Sequence, residues 1–232
     1  ASLIHGESGF DGPVFASCDK ESEKTHAANF IVDTVMAASP GEITLVAVGP
    51  LSNVAMAIRL EPAIVSRIRE IVLMGGSIAS GNVTPSAEFN IHADPEAASI
   101  VFSSGANVTM IGLDVTTTVQ LDDGRFASLR KIPGLASGIF GASMERYMAA
   151  CRKYIGESPA MHDPCCVAYV ANPEIFTTKK YHVGVELAGT LTRGRTVVDT
   201  TGVTGLAPNA SVAITVDVER FWAMLAEELG RY

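Results

Sequence analysis

Ile71-Val72-Leu73-Met74-Gly75-Gly76, followed by Gly81-Asn82-Val83-Thr84-Pro85-Ser86-Ala87-Glu88-Phe89-Asn90, is the stretch on which the fold reading turns. Ile71 to Met74 is apolar without alternation, the pattern of a strand buried on both faces of a parallel sheet. Gly75 and Gly76 let the backbone turn sharply and let a ligand come close. The chain then crowds Asn, Thr, Glu and Asn into a short polar loop. Ligands of open α/β sheets sit just beyond the carboxyl ends of strands, so this loop is placed to hold something small and hydroxylated.

Outward from this stretch, strands and helices alternate. Towards the N-terminus, Thr25–Ala38 has helical spacing (Ala27, Phe30, Ile31, Val35, Met36), with Thr25 as N-cap and Pro40-Gly41 as stop. Ile43–Val48 reads as a buried strand, and Ser52–Leu60 and Pro62–Arg69 as helices. Towards the C-terminus, Asp94-Pro95 opens a helix that runs to about Ser103, with Asp94 as a structural cap. Val108–Leu113 is another strand. Asp114 lies in its exit loop, where a turn or a cap explains it and a site role is the alternative. Leu121–Lys131 and Ser137–Tyr154 are helical, and His162-Asp163-Pro164 begins a further helix by the same Asp-Pro device. Val183–Leu187, Thr196–Val198 and Val212–Val216 alternate as strands of a small additional region near the C-terminus. Glu219–Leu229 is amphipathic, with Phe221, Trp222 and Leu225 inside. The expected fold is a single α/β domain over residues 1–232: a mainly parallel open sheet flanked by helices.

Composition narrows the function. The 232 residues are 47% hydrophobic, enough for a sizeable core. A net charge of −8 argues against nucleic acid and anionic membranes as partners. No apolar run is long enough to span a bilayer. The four cysteines, Cys18, Cys151, Cys165 and Cys166, have no CxxC spacing. They read as reduced thiols of a cytoplasmic protein and offer too few ligands for zinc. Gly6-Glu7-Ser8-Gly9 fails the nucleophile elbow of serine hydrolases, because Phe10 follows. No Gly-x-Gly-x-x-Gly follows a strand, which sets a nucleotide-binding dehydrogenase low. The opening residues resemble a functional loop and not a natural beginning, and the chain starts without Met.

Taken together, Ile4-His5-Gly6-Glu7-Ser8-Gly9, Val48-Gly49-Pro50-Leu51-Ser52-Asn53, Val72-Leu73-Met74-Gly75-Gly76, Gly81-Asn82 to Asn90, Asp94-Pro95-Glu96-Ala97-Ala98, Gly112-Leu113-Asp114-Val115-Thr116 and His162-Asp163-Pro164-Cys165 resemble the inosine–uridine preferring nucleoside hydrolase family, in that family's order. The resemblance implies hydrolysis of the N-glycosidic bond of ribonucleosides to free base and ribose, assisted by Ca²⁺, in purine and pyrimidine salvage. It implies His162 as the acid that protonates the departing base. Asp163 would bind calcium and meet ribose hydroxyls, and Val48 would give calcium its backbone carbonyl. Asn82, Glu88 and Asn90 would hold the ribose hydroxyls, with Phe89 between them and Met74 packed against the sugar. His5 would belong to a loop closing over the site. The family also implies a homodimer or homotetramer. Around the base, Tyr154 and the helix before it are candidates, and no motif fixes the base preference.

One departure accompanies the match. The family opens with a strand ending in Asp-x-Asp-Pro-Gly-x-Asp-Asp, whose carboxylates supply most of the calcium ligands. No such motif occurs here, since the only Asp pair, Asp122-Asp123, lacks the Pro-Gly. The expectation is a chain with about half of the metal site and a sheet whose neighbours to that strand are exposed. The alternative is a riboside-binding or structural protein without turnover.

Overall fold

The computed structural model describes residues 11–15 and 19–232. His5 and Cys18 lie outside the described residues. The chain divides into two compact units. One comprises Glu23–Thr116 and His162–Val216, the other Thr117–Met161 and Asp217–Tyr232 with the described part of the first 22 residues.

The first unit holds the sheet. Its strands are β1 (Thr44–Ala47), β2 (Glu70–Met74), β3 (Val108–Ile111), β4 (Phe176–Val185), β5 (Thr196–Asp199) and β6 (Ala210–Val216), in spatial order β1-β2-β3-β6-β4-β5. β1, β2, β3 and β6 run parallel, while β4 is antiparallel to both β6 and β5. The late strands are therefore not a separate sheet. Of these, β6 joins the parallel set and β4 and β5 extend it as an antiparallel sheet edge, as their alternating sequence allows and the unbroken apolar runs of β2 and β3 do not.

The helices of this unit are α1 (Ala27–Ala37), α2 (Ser52–Leu60), α3 (Ile64–Arg67), α4 (Phe89–Ala93), α5 (Pro95–Phe102), α6 (Leu113–Thr116) and, later in the chain, α9 (His162–Ala171). Ile71 and Leu73 of β2 and Val108 and Met110 of β3 join Ala28, Ile58 and Val101 from α1, α2 and α5 in one buried cluster. Val72, one residue out of phase, turns to the opposite face, where α9 packs on β2. Cys165 and Cys166 of α9 are fully buried there. Burial pushes the Cys165 thiol up to about 12 and raises Cys166 as well, with the Asp163 charge adding to both. They are packing residues, not nucleophiles.

β1 forms one edge of the sheet, and Val46 is 38% exposed where Val72 beside it is 0% exposed. Local signals placed several caps and missed others. Asp94 caps α5 by accepting from Ala97 N at 3.0 Å, and it also accepts from the Ser52 hydroxyl. α1 is capped by His26, whose Nδ1 accepts from Ala28 N, and not by Thr25. Asp163 does not repeat the cap of Asp94, because α9 already starts at His162 and Asp163 sits inside its first turn.

The turn after β2 depends on two glycines. Gly76 has φ +72°, and a Cβ there would stand 2.7–2.8 Å from the Thr196 side chain on β5. A Cβ on Gly81 would lie 2.2–2.4 Å from the Ala87 backbone, on which the loop closes. Gly76→Ala should therefore destabilise the protein by about 2–4 kcal/mol, from left-handed backbone strain plus overpacking. A urea midpoint equal to that of the wild type would refute this account of the turn.

The second unit holds α7 (Asp123–Leu129), α8 (Leu135–Tyr154) and α10 (Val218–Leu229). Asp122 and Asp217 cap α7 and α10 through Arg125 N and Arg220 N. Arg125 binds Asp122 at 2.7 Å and Glu219 at 2.5 Å and lies over the Trp222 ring. Tyr154 is half exposed and carries Lys153 Nζ 4.8 Å from its ring centroid.

Candidate active site

Three parallel strands end together. Ala47 of β1 pairs with Leu73 of β2, and Met74 pairs with Ile111 of β3. Val48, Gly75-Gly76 and Gly112–Thr116 thus leave the sheet at the same end, where a parallel sheet presents its ligand sites.

Glu88 is the centre of the polar cluster. It is 3% exposed and is the N-cap of α4. Its Oε2 accepts from Gly76 N (3.0 Å), Asn90 N (3.0 Å) and Ile91 N (3.2 Å), and its Oε1 accepts from Asn90 N at 2.9 Å. Burial raises its pKa above the ordinary 4.5, the backbone N–H groups oppose that, and the Asp163 charge adds to it. A carboxylate offers about four lone-pair sites, so Oε1 keeps capacity for a hydroxyl.

Asn90, 8% exposed, donates from Nδ2 to the Met74 carbonyl at 3.0 Å and to Met74 Sδ at 3.4 Å. These bonds fix its amide and leave Oδ1 without a partner among the described residues. Asn82 is exposed, and its Oδ1 accepts from Phe89 N at 2.9 Å. The Phe89 side chain is 44% exposed, whereas Met74 is buried. The residues expected to grip a sugar therefore also hold their own loop. That second duty could not be read from residue types, because it depends on which backbone N–H groups the turn leaves pointing inward.

His162 and Asp163 approach from α9. His162 Nδ1 stands 2.7 Å from the hydroxyl of Thr116, a fully buried residue of α6. Asp163 is exposed, and its charge is felt by Glu88. His162 is thus held by α6 at the carboxyl end of β3, and Glu88 caps α4 after the turn that follows β2. Asp114, expected as a turn or cap residue, accepts from Ile78 N (2.6 Å) and Ala79 N (3.1 Å) and clamps the loop after Gly76. Thr196 does likewise from β5, accepting from Ser77 N at 2.9 Å and donating to Ser77 O at 2.7 Å. The partners of Thr116 and Thr196 are not signalled in the sequence, since a hydroxyl's partner so distant in the chain leaves no local pattern.

Calcium takes roughly six to eight oxygen ligands. Among the described residues, no group of three or more His, Cys, Asp or Glu side chains could hold a metal ion. Of the two ligands that the resemblance implies, Val48 follows β1 and Asp163 lies in the first turn of α9. A cleft of about 550 Å³ in the second unit, lined by Arg125, Leu129, Trp222 and Ala226, contains none of the candidate residues.

Comparison with known proteins identifies the family. The profile described as "Inosine-uridine preferring nucleoside hydrolase" matches residues 1–223. The pyrimidine-specific ribonucleoside hydrolase RihB of Shigella flexneri is 46% identical over 100% of this chain and 74% of its own length. The solved purine-preferring ribonucleoside hydrolase from Gardnerella vaginalis superposes with a TM-score of 0.91 at 33% identity, covering 99% of this chain and 73% of that one. The plant nucleoside hydrolase PpNRh1 does so with a TM-score of 0.89 at 31% identity, covering 100% of this chain and 75% of that one. By the extent of the profile match and by 46% identity across 74% of that relative, the chain belongs to the inosine–uridine preferring nucleoside hydrolase family.

Proposed function

We propose that this chain cleaves the N-glycosidic bond of ribonucleosides, with pyrimidine ribosides preferred, and that His162, Glu88, Asn90, Asn82, Met74, Phe89 and Asp163 form its site, which His5 would help to close. The buried Glu88 that the Asp163 charge reaches, with His162 held by Thr116 at the carboxyl end of β3, supports the reading. The pyrimidine preference rests on the 46% identical relative, against 33% for the purine-preferring one.

Breaking the bond sends its electron pair to the base and leaves positive charge on the ribose ring, as in glycoside hydrolysis. Glu88 and Asp163 have the sign to stabilise that charge, and the amides of Asn82 and Asn90 hold hydroxyls without adding charge. His162 gives its proton to the departing base, and a water adds to the anomeric carbon and loses a proton. Ca²⁺ is proposed as a ligand held in part by Asp163 and the Val48 carbonyl, and it would orient the water when bound. The family profile runs across both compact units, which supports one functional domain. A cytoplasmic setting, a role in nucleoside salvage and a homo-oligomer belong to the same proposal. No helix among the described residues is long and apolar enough to cross a membrane.

One rival of a different class is a riboside binder without turnover. Calorimetric titration with uridine and Ca²⁺ separates the two. A continuing heat of reaction with free uracil and ribose supports the hydrolase, and a binding heat without product supports the binder. Asn90→Ala should weaken ribose binding by about 1–3 kcal/mol, because a ligand hydroxyl and the Met74 carbonyl both lose a partner. Unchanged KM and kcat would remove Asn90 from the site.

A further inference from the structure

α6 is a single turn at the carboxyl end of β3, and its side chains reach both halves of the site. Asp114 takes two backbone N–H groups of the loop after β2, at 2.6 Å and 3.1 Å. Two residues on, the Thr116 hydroxyl meets His162 Nδ1 at 2.7 Å. Thr116 is itself immobilised, being 0% exposed with its N–H bonded to Gly112 O at 3.1 Å. α6 packs on β6 and on α9. The Thr116 hydroxyl therefore ties the imidazole to the end of the sheet, and the same turn fixes the loop that leads to Glu88.

We propose that Thr116 is a positioning residue that holds the His162 ring by Nδ1, so that the proton delivered to the leaving base comes from Nε2. The proposal rests on the reading of His162 as the acid. The chemistry of a hydroxyl suits the task. It accepts from an Nδ1–H and, by rotating, donates to a bare Nδ1, so the bond fits either tautomer. A carboxylate in its place could only accept. A ring anchored at one nitrogen has its other nitrogen fixed in direction, and a mispositioned proton donor loses most of its rate advantage. With no side-chain oxygen at position 116, the ring would lose this anchor.

Thr116→Val keeps the shape and removes the hydroxyl, whereas Thr116→Ser keeps the hydroxyl. Thr116→Val should lower kcat for uridine by about 10–100-fold, the usual range for losing the partner that orients a functional histidine. KM should change little, and Thr116→Ser should restore most of the rate. On p-nitrophenyl riboside, whose leaving group needs no proton, Thr116→Val should be close to wild type. The ¹⁵N resonances of the His162 ring should report a changed tautomer or ring environment in Thr116→Val and a native one in Thr116→Ser. If Val does not fold, Thr116→Ala takes its place in both measurements. Wild-type turnover of uridine by the hydroxyl-free variant, equal losses on both substrates, or an unchanged ¹⁵N signature would each overturn the proposal. His162→Ala measured alongside keeps the two claims apart. If that variant turns over uridine normally, the acid role falls, while the ring's ¹⁵N signature still decides whether Thr116 positions it.

Discussion

Glu88→Gln is expected to fold as the wild type does and to lose uridine turnover by about 10²–10³-fold, the range for removing one preorganised electrostatic group. The hydrogen-bond pattern makes this substitution a clean probe. Oε2 takes three of the four backbone contacts, from Gly76, Asn90 and Ile91, and Oε1 takes only a second approach from Asn90. A glutamine with its oxygen in the Oε2 position keeps those three bonds and gives up the charge. Glu88→Ala instead strands the N–H groups in a site that is 3% exposed, at about 1–3 kcal/mol for each donor left unsatisfied. The alanine variant should therefore lose stability and activity together, the glutamine variant activity alone. Urea midpoints and kcat measured on both decide it, and wild-type kcat in Glu88→Gln would remove the charge from the mechanism.

The same carboxyl predicts a pH dependence. Burial raises its pKa above 4.5 in the folded protein, so the native state holds the proton more tightly than the unfolded chain does. The stability this contributes is fully present below pH 4.5 and is lost as the pH rises through the raised value. Glu88→Gln has no such proton, so its urea midpoint should gain on the wild type across that window. A constant difference between the two would show that the native environment does not perturb Glu88.

What was legible in the sequence follows from the range of each interaction. The apolar run Ile71–Met74 and the paired glycines after it announced a buried parallel strand and a ligand-facing turn, because both are local consequences of residue type. Asp94 was legible as a cap for the same reason: its partner, Ala97 N, is three residues away. Asp163 shows the limit. It has the same Asp-Pro neighbour, yet its helix begins one residue earlier, so Asp163 lies inside the first turn and not before it. The antiparallel strands β4 and β5 alternate as expected, but their membership of the main sheet is set by pairing with β6, which no local pattern specifies. The motif resemblance pointed to His162, Glu88 and Asn90. It contained Asp114 and Thr116 without showing what they bind, and it did not reach Thr196, because their partners lie 36, 46 and 119 positions away in the chain.

His162→Ala is the second large prediction, and its value lies in the choice of substrate. Uracil leaves as a poor anion unless a proton reaches it, so loss of the acid should reduce uridine turnover by about 10²–10⁴-fold. p-Nitrophenolate leaves without help, and its riboside should lose less than about tenfold, since the remaining groups still stabilise the sugar cation. Glu88→Gln should behave differently, because positive charge grows on the ribose whichever group departs, and both substrates should suffer alike. The pair of variants on the pair of substrates thus separates help to the leaving group from help to the ring. Equal losses in His162→Ala would place the histidine with the sugar. A selective loss in Glu88→Gln would place the carboxylate with the base, and a site organised around Glu88 at the end of β2 could not accommodate that exchange of roles.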